Sequence, residues 1–202
     1  MRIILASGSP RRKELLSNMG LKYDIIVSDC EEVTEKTQPC DIVRELSMMK
    51  AEDVCKKVMS GINEETYLIA ADTLVFLGNE HLGKPGSVDE AKAMIRKLSG
   101  RSHEVITGVS VMKLVKKNDG AVDISSFSFE EETKVFVSEL SEAEIEDYVL
   151  TGEPMDKAGA YAIQGKFAKY ITKIDGDYSN VVGLPVAKLY KELKTRNWIW
   201  RV

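Results

Sequence analysis

A chain of 202 residues, 44% apolar and 30% charged, has an ordinary globular composition and enough length for a substantial core. Its formal charge of −4 argues against a broad nucleic-acid-coating surface, and no apolar run reaches the ~18–20 residues of a membrane span. Cys30, Cys40 and Cys55 form no CxxC pair and fit reduced thiols, and His81 and His103 are too few for a histidine-rich metal centre. With no signal-peptide-like start, the expected location is the cytoplasm.

The first predicted element is a strand over Ile3 to Ala6, leading into Ser7-Gly8-Ser9 and then a helix. Pro10 suits the first helical position and Ser9 the N-cap. Arg11, Arg12 and Lys13 crowd the first turn, where the helix dipole favours acidic side chains by roughly 0.3–1 kcal/mol each. Two readings fit: an anion held by backbone N–H groups, serine hydroxyls and guanidinium forks, or a solvated basic patch.

Tyr23 to Ser28 reads as a second strand, and Pro39 opens an amphipathic helix to about Met59, with Ile42, Val43, Leu46, Met49 and Val54 near helical spacing. Tyr67 to Leu77 is a buried central strand that stops at Gly78-Asn79. Ser87 with Glu90, and Ser141 with Glu144, have capping-box spacing before helices ending at Gly100 and near Gly152. Between these helices, Glu104 to Val115 and Thr133 to Ser138 alternate as strands, with a turn at Asp119-Gly120. A loop over Gly152 to Gly165 follows, then Phe167 to Ile174, a strand or turn around Val181, and a last helix from about Pro185 to Thr195. No repeat or long linker divides the chain. The mixed order of strands and helices implies an α/β fold with a mixed sheet, because a doubly wound parallel sheet would not hold so many hairpins.

Asp72 stands in an apolar run, where an unpartnered carboxylate is costly to bury. It either faces solvent from one side of the sheet or is a cleft carboxylate that binds metal or activates water. Glu31-Glu32 could supply a second acid for a hard cation, although surface Glu-Glu pairs are common. Lys50 and Lys84 are ordinary solvated lysines unless the tight turn at His81 to Gly86 aims Lys84 at a ligand. In the Gly152 to Gly165 loop, small residues permit close backbone approach, and Gln164 carries both the donor and the acceptor needed to read a base edge. A purely structural turn is the competing account.

Taken in order, Ser7-Gly8-Ser9-Pro10-Arg11-Arg12, Ala71-Asp72-Thr73, Gly83-Lys84-Pro85, Leu98-Ser99-Gly100 and Asp156-Lys157-Ala158-Gly159-Ala160-Tyr161 resemble the Maf family over residues 2 to about 195. These are nucleoside triphosphate pyrophosphatases, also described as septum formation inhibitors. The resemblance implies a single domain over residues 1–202: an elongated mixed sheet flanked by helices, two lobes around a central cleft, similar to inosine triphosphate pyrophosphatases and often dimeric. It implies a divalent-metal-dependent enzyme, with Mg or Mn as the expected ion, and a nucleoside triphosphate as partner. Asp72 matches the proposed catalytic acid, and Glu32 with Asp72 would hold the metal. Ser7, Arg11 and Arg12 match the phosphate-binding motif, and Lys50 and Lys84 other polar residues of the cleft. Arg12, Thr73 and Gln164 stand where substrate preference is set. The sequence from Asp156 to Gly165 resembles the subgroup acting on dTTP and UTP rather than the one hydrolysing 7-methyl-GTP.

The reaction expected from this set is in-line attack of water on the α-phosphorus, with cations neutralising the departing pyrophosphate. The alternative is a nucleotide-binding regulator of cell division without important turnover. A nucleic-acid binder would need a basic stripe with stacking aromatics, and the sequence has none. Trp198 and Trp200 pack either on the chain's own core, the commoner place for such tryptophans, or at a subunit contact.

Overall fold

The computed structural model describes residues 1–198. Its strands are β1 (Arg2–Leu5), β2 (Asp24–Ile25), β3 (Thr66–Leu77), β4 (Glu80–Leu82), β5 (Ser102–Lys116), β6 (Val122–Val137) and β7 (Ile171–Asp175). They form a mixed sheet in the order β2-β1-β3-β5-β6-β7, with β4 paired to β3. The helices are α1 (Pro10–Asn18), α2 (Pro39–Val58), α3 (Val88–Leu98), α4 (Glu142–Leu150), α5 (Tyr178–Val182) and α6 (Val186–Thr195). The α/β mixed-sheet expectation holds. The chain divides into two compact units, which β3, β5 and β6 each traverse.

The first unit contains residues 1–72 and 107–131 and the segment from Gly183 onward. Here β1 pairs in parallel with β2 and with β3. Side chains alternate across the sheet with period two, so Ile3, Leu5, Tyr67 and Ile69 pack on one face with Leu16 of α1 and Leu189 and Leu193 of α6. Ile4, Ala6, Leu68 and Ala70 pack on the other with Ala51, Val54 and Cys55 of α2. Both faces are covered, which is why β3 reads as a nearly continuous apolar run. Trp198 rests edge-on against Tyr67 at 5.9 Å and beside Phe127 at 5.2 Å, as a core anchor should. Trp200 lies outside the described residues.

One contact fixes how close α2 comes to the sheet. A Cβ on Gly108 of β5 would lie 2.2 Å from the Val43 carbonyl oxygen and 2.7 Å from the Arg44 nitrogen. Only glycine lets the helix backbone lie directly on the strand there.

The second unit contains residues 73–106 and 132–182. Within it β4 folds back antiparallel on the end of β3, and β7 pairs antiparallel with the end of β6. Helices α3 and α4 are linked by a two-pronged Arg96–Glu142 ion pair at 2.6 and 2.7 Å. Phe167 is fully buried among Tyr148, Tyr161 and Tyr170, with ring centres 4.9–5.4 Å apart. His103 is also fully buried, its Nε2 2.8 Å from Tyr161 Oη, and its Nδ1 has no hydrogen-bond partner.

Several expected elements differ. The strand expected over Tyr23 to Ser28 shrinks to Asp24–Ile25, exposed at the sheet edge with only β1 to pair with. The strand expected to begin at Thr133 starts at Val122, its first half mostly exposed and therefore polar in sequence. Phe167 to Tyr170 is a 3₁₀ turn, and Val181 belongs to the short helix α5 rather than to a strand. Ser141 and Glu144 form the full capping box. Ser87 caps Glu90, but the Glu90 carboxylate bonds the Gly86 amide instead of closing the box.

Candidate active site

Strand β1 delivers Ser7 and Ser9 to the start of α1, where Pro10 occupies the first turn and the Ser9 hydroxyl accepts from the Arg12 amide. Ser7 is buried, and its Oγ accepts from the Ser9 amide at 3.2 Å and from Arg12 Nη1 at 3.3 Å. Arg12 Nε donates to the Gly183 carbonyl at 2.8 Å, a contact bridging 171 positions of sequence. The basic first turn is thus no loose surface patch, because Arg12 folds back onto its own turn. The residue keeps an intermediate exposure while its guanidinium is closely surrounded. Burial holds that guanidinium below the ordinary arginine pKa, and Arg11 adds to the effect, while Asp72 and Glu32 oppose it.

Asp72 ends the run in phase with Leu68 and Ala70, so it points to the sheet face covered by α2. It is only 6% exposed. Lys50 of α2, one residue before the buried Ala51, donates to Asp72 Oδ1 at 2.5 Å and lies 3.0 Å from Glu32 Oε1. The other carboxylate oxygen, Asp72 Oδ2, is buried with no protein hydrogen-bond partner. A buried acceptor left open is costly, and in a native protein it points to a proton, water or cation that completes it. The solvent-facing alternative for Asp72 is therefore set aside. Lys50 is not an ordinary solvated lysine but the shared partner of two acids.

Ser7, Arg11, Arg12, Glu32, Lys50 and Asp72 all fall in the first unit. Thr73, Lys84 and Gln164 fall in the second, where Thr73 is half-buried and Lys84 and Gln164 are exposed. The turn before Lys84 is pinned by the Gly159 amide, which donates to the Gly83 carbonyl at 3.0 Å. Gly159 has φ +66° and lies so close to Val75 that a Cβ would come within 2.9 Å of it. Gln164 is flanked by Gly165, over which the Glu153 carboxylate folds. One Glu153 oxygen accepts from Tyr148 Oη at 3.0 Å and the other from the Lys166 amide at 2.9 Å. Gly108 and the pairing of His103 with Tyr161 have no local signal in the sequence. A lysine on the buried stripe of α2 was the signal available for the role of Lys50.

The family model described as Maf-like protein matches residues 2–196. The chain belongs to the Maf family. A protein from Lachnoclostridium phytofermentans named dTTP/UTP pyrophosphatase is 51% identical over 95% of this chain and 93% of its own length. Proteins of the same name from a Thermoanaerobacter species and from Bacillus cereus are 47% and 45% identical, each over 96% of this chain and over 96% and 94% of their own length. The solved Staphylococcus aureus Ham1 structure covers 97% of this chain and 100% of its own at a TM-score of 0.40 and 13% identity, too distant to bear on function.

Glu32 and Asp72 suit a hard cation only with outside help. Among the described residues no three His, Cys, Asp or Glu side chains converge on one metal-sized position. Two carboxylates on one lysine, with one open buried oxygen, match an ion that takes most of its ligands from water and phosphate, as Mg²⁺ does.

Proposed function

We propose that this chain hydrolyses dTTP and UTP to the monophosphate and pyrophosphate. The observation that carries the reading is the buried Asp72, one oxygen tied to Lys50 and the other open, within electrostatic reach of Arg12. An attacking water would hydrogen-bond to Oδ2 and pass its proton there as its oxygen bonds the α-phosphorus. The bond from the α-phosphorus to the bridging oxygen breaks, and pyrophosphate leaves with the electron pair. Arg11 and Arg12 supply guanidinium donors for the phosphate oxygens, and the Arg12–Gly183 and Arg12–Ser7 bonds hold one of them in place beforehand. Glu32 and Asp72 would hold a divalent ion, which when bound polarises a phosphate oxygen and acidifies water. Lys84 is assigned to phosphate contacts by its motif. The pyrimidine preference rests on the names of the relatives and on Gln164, whose amide can complement O4 and N3–H, with Thr73 as its companion.

The test is pyrophosphate release from a panel of canonical and modified triphosphates, with Mg²⁺, with Mn²⁺ and with chelator. Metal-dependent release favouring dTTP and UTP is the expected result. Binding without release would favour the regulator instead. Asp72→Asn should bind nucleotide and lose more than tenfold in turnover, above ~1.4 kcal/mol of barrier.

A further inference from the structure

Lys50 stands where a cation would stand. Its ammonium lies 2.5 Å from Asp72 Oδ1 and 3.0 Å from Glu32 Oε1, the two carboxylates assigned to the metal, and its side chain is 14% exposed. A divalent ion entering between those acids would meet a fixed positive charge already satisfied by them. Arg12, whose charge is coupled to both acids, adds a second repulsive centre. A triphosphate changes this balance, because its oxygens offer Lys50 and Arg12 new anionic partners and bring their own ligands for the metal.

We propose that Lys50 is a built-in counter-ion that keeps free divalent cations off the Glu32–Asp72 pair, so that the metal enters only with the triphosphate. This rests on the reading of the site given above and adds an order of events to it. The ammonium holds the two carboxylates together while no nucleotide is bound. The polyanion then draws Lys50 away and leaves both acids to the ion. The species recognised is therefore a metal–nucleotide complex rather than a metal followed by a nucleotide.

The experiment measures Mn²⁺ binding to the nucleotide-free full chain by loss of the free-ion electron paramagnetic resonance signal. Lys50→Met should bind Mn²⁺ at least tenfold more tightly than the wild type, and Lys50→Gln should behave alike. Lys50→Arg, which keeps the charge, should stay as weak as the wild type. Adding Asp72→Asn to Lys50→Met should abolish the gain, which locates the ion. Equal affinity in Lys50→Met and the wild type would overturn the proposal. Asp72→Asn alone gives a check that needs no lysine variant to fold. It should leave nucleotide-free Mn²⁺ binding unchanged, and a tenfold loss would show that the acids take metal with Lys50 in place. Wild-type pyrophosphate release is run in parallel. Release with no lysine effect on Mn²⁺ sinks the counter-ion proposal alone, whereas no release from any triphosphate sinks the underlying reading of the site.

Discussion

Replacing Gly108 by alanine perturbs the geometry that places Lys50 without removing any polar side chain. The added methyl would lie 2.2 Å from the Val43 carbonyl oxygen, 2.3 Å from its carbon and 2.7 Å from the Arg44 nitrogen. These are helix backbone atoms, so no side chain can swing aside. An ordinary contact needs about 3.5 Å, and α2 must therefore move out by about 1 Å. Overpacking of buried positions costs about 1–3 kcal/mol, and a clash with backbone belongs at the top of that range. At roughly 2–4 °C per kcal/mol for a chain of this size, the melting temperature should fall by about 6–12 °C. Lys50 lies two turns beyond Val43 on the same helix, so its ammonium should shift from Asp72 and Glu32 by a comparable distance. The triphosphate must then meet that ammonium out of place, and a misplacement of that size in a substrate-positioning group can cost near 10²-fold in rate. Calorimetry and dTTP turnover on the purified variant check both effects. A variant that melts within 2 °C of the wild type and keeps its kcat/KM would refute the close-approach argument.

Burial holds the His103 pKa down at about 4. Because the unfolded imidazole takes a proton near 6.5 while the folded one does not, stability should fall as pH drops from about 6.5 to 4, by up to about 3 kcal/mol. Urea denaturation at stepped pH should show that slope in the wild type and a flatter one in His103→Gln, and parallel curves would contradict it. Gly165→Ala would put a methyl 2.2 Å from Glu153 Oε1, displacing a carboxylate that accepts from both Tyr148 and Lys166. The expected loss is about 1–3 kcal/mol in denaturant, together with weaker discrimination between UTP and CTP if Gln164 moves with the loop. Ser141→Ala removes half of a complete capping box and should cost about 1 kcal/mol, read as a lower midpoint without a change in slope.

The sequence was most readable where local chemistry decides the outcome. Ser9-Pro10 starts a helix, Ser141 with Glu144 closes a cap, and period-two alternation with both faces covered makes β3 one apolar run. The first half of β6 was hidden because a strand exposed on both faces carries polar residues like a loop, as Asp123, Ser125 and Ser126 do. The candidate site was legible as a set of residues, since Asp72 is conspicuous among apolar neighbours and Arg11-Arg12 are out of place at a helix start. What joins them was not legible. Lys50 reaches Asp72 only because α2 lies on the face that residues 68, 70 and 72 share, and that depends on helix–strand contact at Gly108. Nothing in the local sequence reports a contact between positions 43 and 108.

The tie between Arg12 and Gly183 makes the N-terminal motif depend on the far end of the chain. Gly183 has φ +123°, a backbone state that side-chain-bearing residues rarely adopt, and it begins the stretch that rejoins the first unit and leads into α6. A fragment stopped at residue 182 would keep every letter from Ser7 to Arg12 and still lack the carbonyl that orients the arginine. Shortened expression products, or two-piece versions of the protein cut upstream of that glycine, should therefore grip anions poorly until the missing tail is supplied in trans.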